Sequence, residues 1–400
     1  MKDQGPFALI VNAGSSSLKT AVANRMGIVA RHSVDRLDGS IASYADALST
    51  CLVALDVENG VNVVGHRIVH GGTRFSRPVL VNDEVQASLA DLVSLAPLHQ
   101  PPGLAAMTAT RQRFPNLPQV ACFDTGFHST MSELNSRFAI PLSLHDDGVR
   151  RYGFHGLSYE FVSGELRNSF PDVAKGRVVI AHLGSGASLC GLVEGRSVTT
   201  TMGMTPLDGL PMATRPGRID PGVLLHLLRG PTAAGDSYSL DRLDELLNRE
   251  SGLLGLSGIS GDVRDLSASP DPAASFALRF FVAAVAREVA GVASDIGGLD
   301  ALVFTAGIGE NSSMIRADVV ERLAWIGLRV DTTLNNGVGR SASVEGSVTH
   351  RSVTHRSVTQ RSVTEIHKAG STAAVFVIPT DEAAVIATHA LSVLAPEEKL

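Results

Sequence analysis

One local pattern occurs twice in this chain, far apart. In FALIVNAGSSSLKTAVAN, Phe7–Asn24, an apolar run stops at the small-residue turn Asn12–Ser17, and an alternating run, LKTAVA, follows. RVVIAHLGSGASLCGLVEG, Arg177–Gly195, repeats the design with the turn Gly184–Ser188. An apolar stretch that ends in glycine and serine and then resumes with period-two alternation reads as strand, turn, strand. Two such hairpins predict two halves built on one plan. A length of 400 residues agrees, since it exceeds what one ordinary core uses.

Between and after the hairpins, strands alternate with helical patterns. VNVVGHRIVHGG reads as a strand feeding a loop, and PQVACFDTGFH as a short buried strand running into a turn. Asp83–Leu95 has helical spacing and ends before the proline-rich APLHQPPG. Ala273–Gly291 reads as a core-facing helix; Arg279, Arg287 and Glu288 within it argue against a membrane span. ALVFTAGIGEN is a buried strand entering a Gly-rich turn, Ser312–Trp325 a helix capped near Asn311 or Ser312, and TDEAAVIATHALSVL a final amphipathic helix.

Composition narrows the class. With 44% hydrophobic, 18% charged and only 5% aromatic residues, and 39 glycines, the chain suits an α/β protein with many tight strand-to-helix turns. A net charge of -6 argues against nucleic acid as a partner. Cys51, Cys122 and Cys190 have no metal-ligand spacing and sit beside apolar residues, so buried free thiols in a reducing cytoplasm are expected. MKDQGPFALIVNAG has no apolar stretch of signal-peptide form. From Ser347 to Ile366 the chain reads SVTHR SVTHR SVTQR SVTEI. A period of five flips faces with each unit and makes no single buried face. A tandem expansion within a surface loop, 347–366, is the expectation.

Three small-residue turns follow strongly apolar strands: Asn12–Ser17, Gly184–Ser188 and Gly307–Asn311. Such turns leave backbone N–H groups uncovered and let phosphate oxygens come close. No Walker motif is present. Arg67, His99, Asp124, His155, His182 and Arg215 lie at strand ends or in loops among glycines and prolines, where α/β proteins place ligands.

VNAGSSSLK, GHRIVHGG, APLHQPP, FDTGFH, RYGFHG, AHLGSGAS, TRPGRIDPG, ESGLLGLSGISGDVRD, TAGIGEN and PTDEAAVIA occur in this order. On these motifs the chain resembles the acetate kinase (short-chain acyl kinase) family over essentially its whole length. The resemblance implies the two-domain actin/Hsp70/sugar-kinase (ribonuclease H-like) fold, α/β with a duplicated core and an interdomain ATP cleft. It implies a first domain of 1–149 plus 383–400 and a nucleotide domain of 150–382. The implied reaction is reversible transfer of the ATP γ-phosphate to acetate, with propionate or butyrate as alternative acceptors. A chaperone or filament protein of the same fold is the rival from another class, and lacks the GHRIVHGG arginine. A catalytically silent binding protein is the third, and the retained arginines, Asn12 and Glu382 argue against it.

The resemblance makes Asp124, Arg67, Arg215, His155, His99 and His182 the catalytic set. Val69, Leu98, Phe154 and Pro206, beside Arg67, form the acyl pocket. Lys19, His182, Gly184, Ser185, Gly186, Asp262, Val263, Arg264, Gly307, Ile308, Gly309, Glu310 and Asn311 contact ATP or ADP. Asn12 and Glu382 hold Mg²⁺, with Mn²⁺ as a substitute. A homodimer, without membrane or nucleic-acid partners, is expected. The chain departs from the family pattern at Ser185, where Asn is usual, at Pro216 and Arg218, where Ser and Asp are usual, and at Gln100, where Asn is usual. The pentapeptide repeat is also foreign to the family.

Overall fold

The computed structural model describes residues 5–14, 16–56, 60–230, 237–339 and 363–394. Its strands are β1 (Ala8–Ala13), β2 (Ser17–Asn24), β3 (Gly27–Asp35), β4 (Val63–Ile68), β5 (Val79–Leu80), β6 (Gln119–Phe123), β7 (Arg177–Leu183), β8 (Ala187–Val193), β9 (Arg196–Thr200), β10 (Ala301–Thr305), β11 (Thr364–Glu365) and β12 (Ala374–Val377). Seven of the helices bear on the site: α1 (Ile41–Leu55), α2 (Gln100–Arg113), α3 (Gly156–Ser169), α4 (Pro221–Arg229), α5 (Pro272–Asp295), α6 (Ala306–Asn311) and α7 (Glu382–Ser392).

The strands form two six-stranded sheets, ordered β3-β2-β1-β4-β6-β5 and β11-β12-β10-β7-β8-β9. Read from the other edge, the second order repeats the first. Each sheet begins with two antiparallel hairpins, adds two strands parallel to its first strand, and closes with a short antiparallel edge. The duplication expected from the paired hairpins is present, and with it the two-domain fold.

The central strands are near-continuous apolar runs because both faces of each sheet are covered. On the first sheet, Tyr44, Leu48 and Leu52 of α1 and Ala105, Ala106 and Ala109 of α2 pack on one face. Val385, Ile386 and Ala390 of α7 pack on the other. On the second sheet, α5 covers one face with Ala277, Phe281, Val285 and Val289, and α3 the other with Tyr159, Val162 and Leu166. Leu157 at the start of α3 instead joins the core under the first sheet. Both α3 and α7 therefore run where the two sheets meet.

Local chemistry sets the helix ends. Asp271 caps α5 by accepting from Ala273 N–H, with Pro272 in the first turn, and Ser312 caps helix Ser313–Arg322 by accepting from Ile315 N–H. Helix Asp83–Ala90 stops before Leu95, and Val93–Leu95 forms a separate 3₁₀ turn. The expected turn at Gly307–Asn311 needs correction. It is the helical turn α6, entered through Ala306 at a left-handed φ of 64°. Glu310 supports it by accepting from Ala306 N–H at 2.9 Å. Most of the pentapeptide repeat lies outside the described residues. Its last unit corrects the expected loop boundary, because Thr364–Glu365 pair with β12 as the sheet edge and Ile366 is fully buried. Cys51, Cys122 and Cys190 are buried free thiols. Among the described residues no helix is long and apolar enough to cross a membrane.

Candidate active site

In the first sheet β1, β4 and β6 run parallel, so their carboxyl ends converge. Arg67 lies near the end of β4, and Asp124 directly follows β6, its N–H held by Ile68 O at 3.1 Å. The Arg67 guanidinium grips the Asp124 carboxylate with two prongs, Nη2 to Oδ2 at 2.6 Å and Nε to Oδ1 at 3.0 Å. Arg67 Nη1 also donates to Asn12 Oδ1 at 3.3 Å, and Glu382, the first residue of α7, stands 3.7 Å from Nε. Residues from three strands and the final helix thus meet around one guanidinium. Asn12, Lys19 and Glu382 line a cleft of about 560 Å³, together with Arg31 and Asp381, which pair with each other.

The second half supplies imidazoles. His155 precedes α3 in a left-handed conformation, φ 58°, and Gly156 N–H donates to Asp124 O at 2.8 Å. A Cβ on Gly156 would fall 2.1 Å from that oxygen, so only glycine permits the approach. His155 stacks on His182 of β7 with ring centroids 4.0 Å apart. His155 Nδ1 lies 2.8 Å from Ser188 Oγ, and His182 Nδ1 lies 2.8 Å from Ser158 Oγ. The Tyr159 hydroxyl lies 2.5 Å from Ser188 Oγ. Arg215 donates from Nη1 to Pro206 O at 2.8 Å, and a Cβ on Gly186 would sit 2.9 Å from Arg215 Nη2 and 3.2 Å from His155 Nε2.

Electrostatics follows from this crowding. Burial, then Arg215 and Arg67, holds His99 down at about 4. Burial and Arg67 do the same to His182, against the pull of Asp124. Burial, His182 and both arginines push His155 well below the ordinary histidine value. All three rings are therefore neutral near pH 7. Burial lowers Arg215 to about 10 and leaves it cationic. Burial works against the charge of Arg67, but Asp124 and then Glu382 outweigh it and raise its pKa. Burial raises the Asp124 carboxyl, with Arg67 opposing.

The other expected site residues divide. Phe154 and Val69 belong to one apolar cluster, and Leu98 and Pro206 are half-buried, Leu98 next to His99 and Pro206 under Arg215. A Cβ on Gly184 would lie 3.7 Å from Ala306 Cβ and 3.9 Å from Gly307 N, so the second and third small-residue segments meet. Ser185 is exposed, and its carbonyl accepts from Ala213 N–H at 3.1 Å. Gly309 packs on β10, and the Asn311 side chain donates back to Gly307 O at 2.8 Å. Ile308 is half-buried against the second core. Asp262 caps the short helix Val263–Ala268 and pairs with Arg264 at 2.6 Å, so these two engage each other, while Val263 is buried. Lys19 is exposed on the cleft beside Asn12.

Sequence reasoning missed the roles of the supporting residues. Gln100 accepts from His70 N–H at 3.1 Å and donates to His70 O and Leu89 O, stitching down the loop after Arg67. Arg316 is 1% exposed and donates to Gly309 O, Glu310 O and Asn335, fastening α6. Ser158 and Tyr159 escaped notice because a serine and a tyrosine inside a helix carry no local signal. The departure at Arg218 is accommodated: Glu288 lies 3.7 Å away, and Arg218 is mostly exposed. Pro216 has no structural account.

A sequence model of the Acetokinase family matches residues 29–388. The chain is 44% identical over 415 aligned positions to the acetate kinase of Nitrobacter hamburgensis, covering 96% of each chain. It is 42% identical over 415 positions to that of Rhodopseudomonas palustris, covering 95% of this chain and 96% of the other. Among solved structures, a propionate kinase from Francisella tularensis superposes with a TM-score of 0.84 at 32% identity, covering 97% of this chain and 100% of that one. The acetate kinase of Porphyromonas gingivalis superposes with a TM-score of 0.82 at 31% identity, covering 98% and 100%.

Proposed function

The chain belongs to the acetokinase family, a family of kinases that transfer phosphoryl from ATP to acetate, and we propose that it does so in the cleft around Arg67. The observation that carries this reading is the convergence of Arg67, Asp124, Asn12 and Glu382 opposite Arg215 and two neutral stacked histidines.

An acetate carboxylate is ionised at pH 7, so no general base is needed to make the nucleophile. The obstacle is bringing an anion to a polyanionic phosphate. Arg215 and the Nη1/Nη2 edge of Arg67, whose Nε/Nη2 edge Asp124 holds, supply the compensating charge, and a guanidinium edge suits carboxylate and phosphate oxygens alike. Asp124 holds the Arg67 fork in one orientation and does not abstract a proton. The hydroxyl chain sets the imidazole. Burial pushes Tyr159 well above its usual pKa, so it keeps its proton; in this reading it donates that proton to Ser188 Oγ, 2.5 Å away. Ser188 then donates to His155 Nδ1, which leaves the proton on Nε2, facing Gly186 and Arg215. A neutral donor there stabilises charge on the equatorial oxygens of the phosphoryl group in transfer.

The Gly184–Ser188 and Gly307–Asn311 segments, with Lys19, Asp262, Val263 and Arg264, receive the nucleotide. Val69, Leu98, Phe154 and Pro206 hold the acyl methyl group. Asn12 Oδ1 and the Glu382 carboxylate are oxygen donors on one cleft, a set that suits Mg²⁺, which keeps much of its water. Mg²⁺, when bound, neutralises charge on the phosphate oxygens. The division 1–149 plus 383–400, against 150–382, is supported by the packing of Val385, Ile386 and Ala390 of α7 under the first sheet. A homodimer is supported by α4, which buries none of its residues and exposes Val223 and Leu225, and by exposed Phe276 and Phe280 on α5. Buried free thiols and a net charge of -6 support a cytoplasmic protein without nucleic-acid partners.

Arg67→Ala and Arg215→Ala test the site. Each should lower kcat at least ~100-fold, because each removes charge compensation in the transition state. The Lys variants should recover little, since the fork is lost. Near-normal turnover in either Ala variant removes that arginine from the mechanism.

A further inference from the structure

Glu310, expected to meet the nucleotide, turns its carboxylate to the backbone. One oxygen, Oε1, accepts from Ala306 N–H at 2.9 Å and from Thr380 N–H at 3.0 Å. Ala306 opens α6 directly after β10, in a left-handed conformation that a non-glycine residue holds only when its surroundings fix it. Thr380 lies on the short path from β12 to α7, where the chain leaves the second sheet for the first.

That path is anchored along its length. Ile378 N–H donates to Phe304 O at 3.0 Å, and the Thr305 hydroxyl donates to Ile378 O at 2.6 Å. Glu310 then holds Thr380. Asp381 next pairs with Arg31 of β3, and Glu382 faces Arg67. Glu310 thus holds the chain on the second-sheet side one residue before Asp381 engages the first sheet. A charged acceptor shared by two amides resists their separation, because parting them strands a charge-assisted hydrogen bond.

We propose that Glu310 is a positioning residue that couples nucleotide seating at Ala306–Gly309 to the placement of Glu382, and through it to the cation and Arg67. The proposal rests on the reading above that these segments receive the nucleotide and that Glu382 helps hold the cation. It assigns Glu310 a role other than direct nucleotide contact. It also explains how occupancy of the second half reaches residues of the first.

Hydrogen exchange on the full-length protein, with and without ADP, tests it. In the wild type, ADP should slow exchange in peptides spanning both 305–309 and 378–383. In Glu310→Ala, ADP should still protect 305–309 but no longer 378–383. The Mg²⁺ concentration for half-maximal activity should rise about tenfold, the scale of one lost charge-assisted hydrogen bond, with KM for acetate unchanged. Glu310→Gln keeps an acceptor oxygen and should recover most of both effects. Protection still reaching 378–383 in Glu310→Ala would overturn the proposal, as would equal rises in the Mg²⁺ requirement and in KM for acetate. If Glu310→Ala does not fold, Glu310→Asp decides, because its carboxylate is one methylene short of bridging both amides: ADP protection kept at 305–309 and lost at 378–383 supports the coupling, and protection at both overturns it. Glu382→Gln separates the two readings. If it leaves the Mg²⁺ requirement unchanged, the cation assignment falls, while the exchange data still decide whether Glu310 links the two segments.

Discussion

Histidines titrate nearest to physiological pH, and this fold holds a buried group of them neutral. Burial lowers His66, His70, His99, His128 and His182 from 6.5 to about 4. Between those two values the unfolded chain binds protons that the folded chain refuses. Stability therefore falls as pH drops through about 6.5 towards 4, and these groups add no further loss below that. The urea midpoint should decline steadily over this window. The rate should not follow, because His155 and His182 act as neutral rings, so kcat at saturating substrates should show no limb near pH 6.5. Such a limb would mean that an imidazolium takes part. A second prediction concerns Val69, which shares an apolar cluster with Phe154. Val69→Ala should favour longer acids by up to about fourfold in kcat/KM per methylene, the value of ~0.8 kcal/mol per CH₂. KM for ATP should hold. An unchanged ranking of acetate, propionate and butyrate would make Val69 ordinary core. At this scale the sequence was legible only in part. Arg67, Asp124, Asn12 and Glu382 are far apart along the chain, and only the family resemblance, not spacing, put them on one site. Gln100 was noted as a departure, but its hold on the His70 backbone depends on a tertiary approach that no local pattern encodes.

At the scale of elements, the seat of α7 decides where Glu382 stands. A Cβ on Gly65 of β4 would fall 2.5 Å from Ile386 Cγ2 and 3.2 Å from Ala390 Cβ, both fully buried. Gly65→Ala should therefore cost ~1–3 kcal/mol by overpacking. It should also lift α7 and raise the Mg²⁺ requirement while leaving KM for acetate nearly unchanged. Thermal melts and Mg²⁺ titrations check both, and a destabilised variant with wild-type Mg²⁺ dependence would separate α7 seating from Glu382 placement. Strands and long helices were legible because their periods are set by burial on one or both faces. The third small-residue segment was misread as a turn. Glycines usually mark a break, but here Glu310 caps Ala306 and Arg316 ties the far end of α6, so a helical turn survives in a Gly-rich stretch. The end of the pentapeptide repeat was misplaced for a related reason. Ile366 N–H finds Val375 O at 2.8 Å, and its side chain finds the second core, neither visible in a repetitive sequence.

For the whole molecule, two equivalent sheets bring an arginine–carboxylate cluster from the first half beside an imidazole pair from the second. The repeated hairpin foretold this duplication, since the same order of apolar run, small turn and alternation has the same best burial in both halves. The apolar surface of α4 and α5 belongs to this scale as well. The protein should elute as a dimer at micromolar concentration, and Leu225→Asp, on a half-exposed position of α4, should yield a folded monomer. A wild-type monomer would leave that surface without its second copy. The central claim is that the chain phosphorylates a carboxylate, with acetate preferred. The direct measurement is trapping of the acyl phosphate by hydroxylamine, with Mg-ATP and acetate, propionate, butyrate or glycerol in turn. The account predicts acyl hydroxamate from the acids, highest kcat/KM for acetate, and no phosphorylated glycerol. ADP release without acyl hydroxamate, or turnover of glycerol instead, would contradict it.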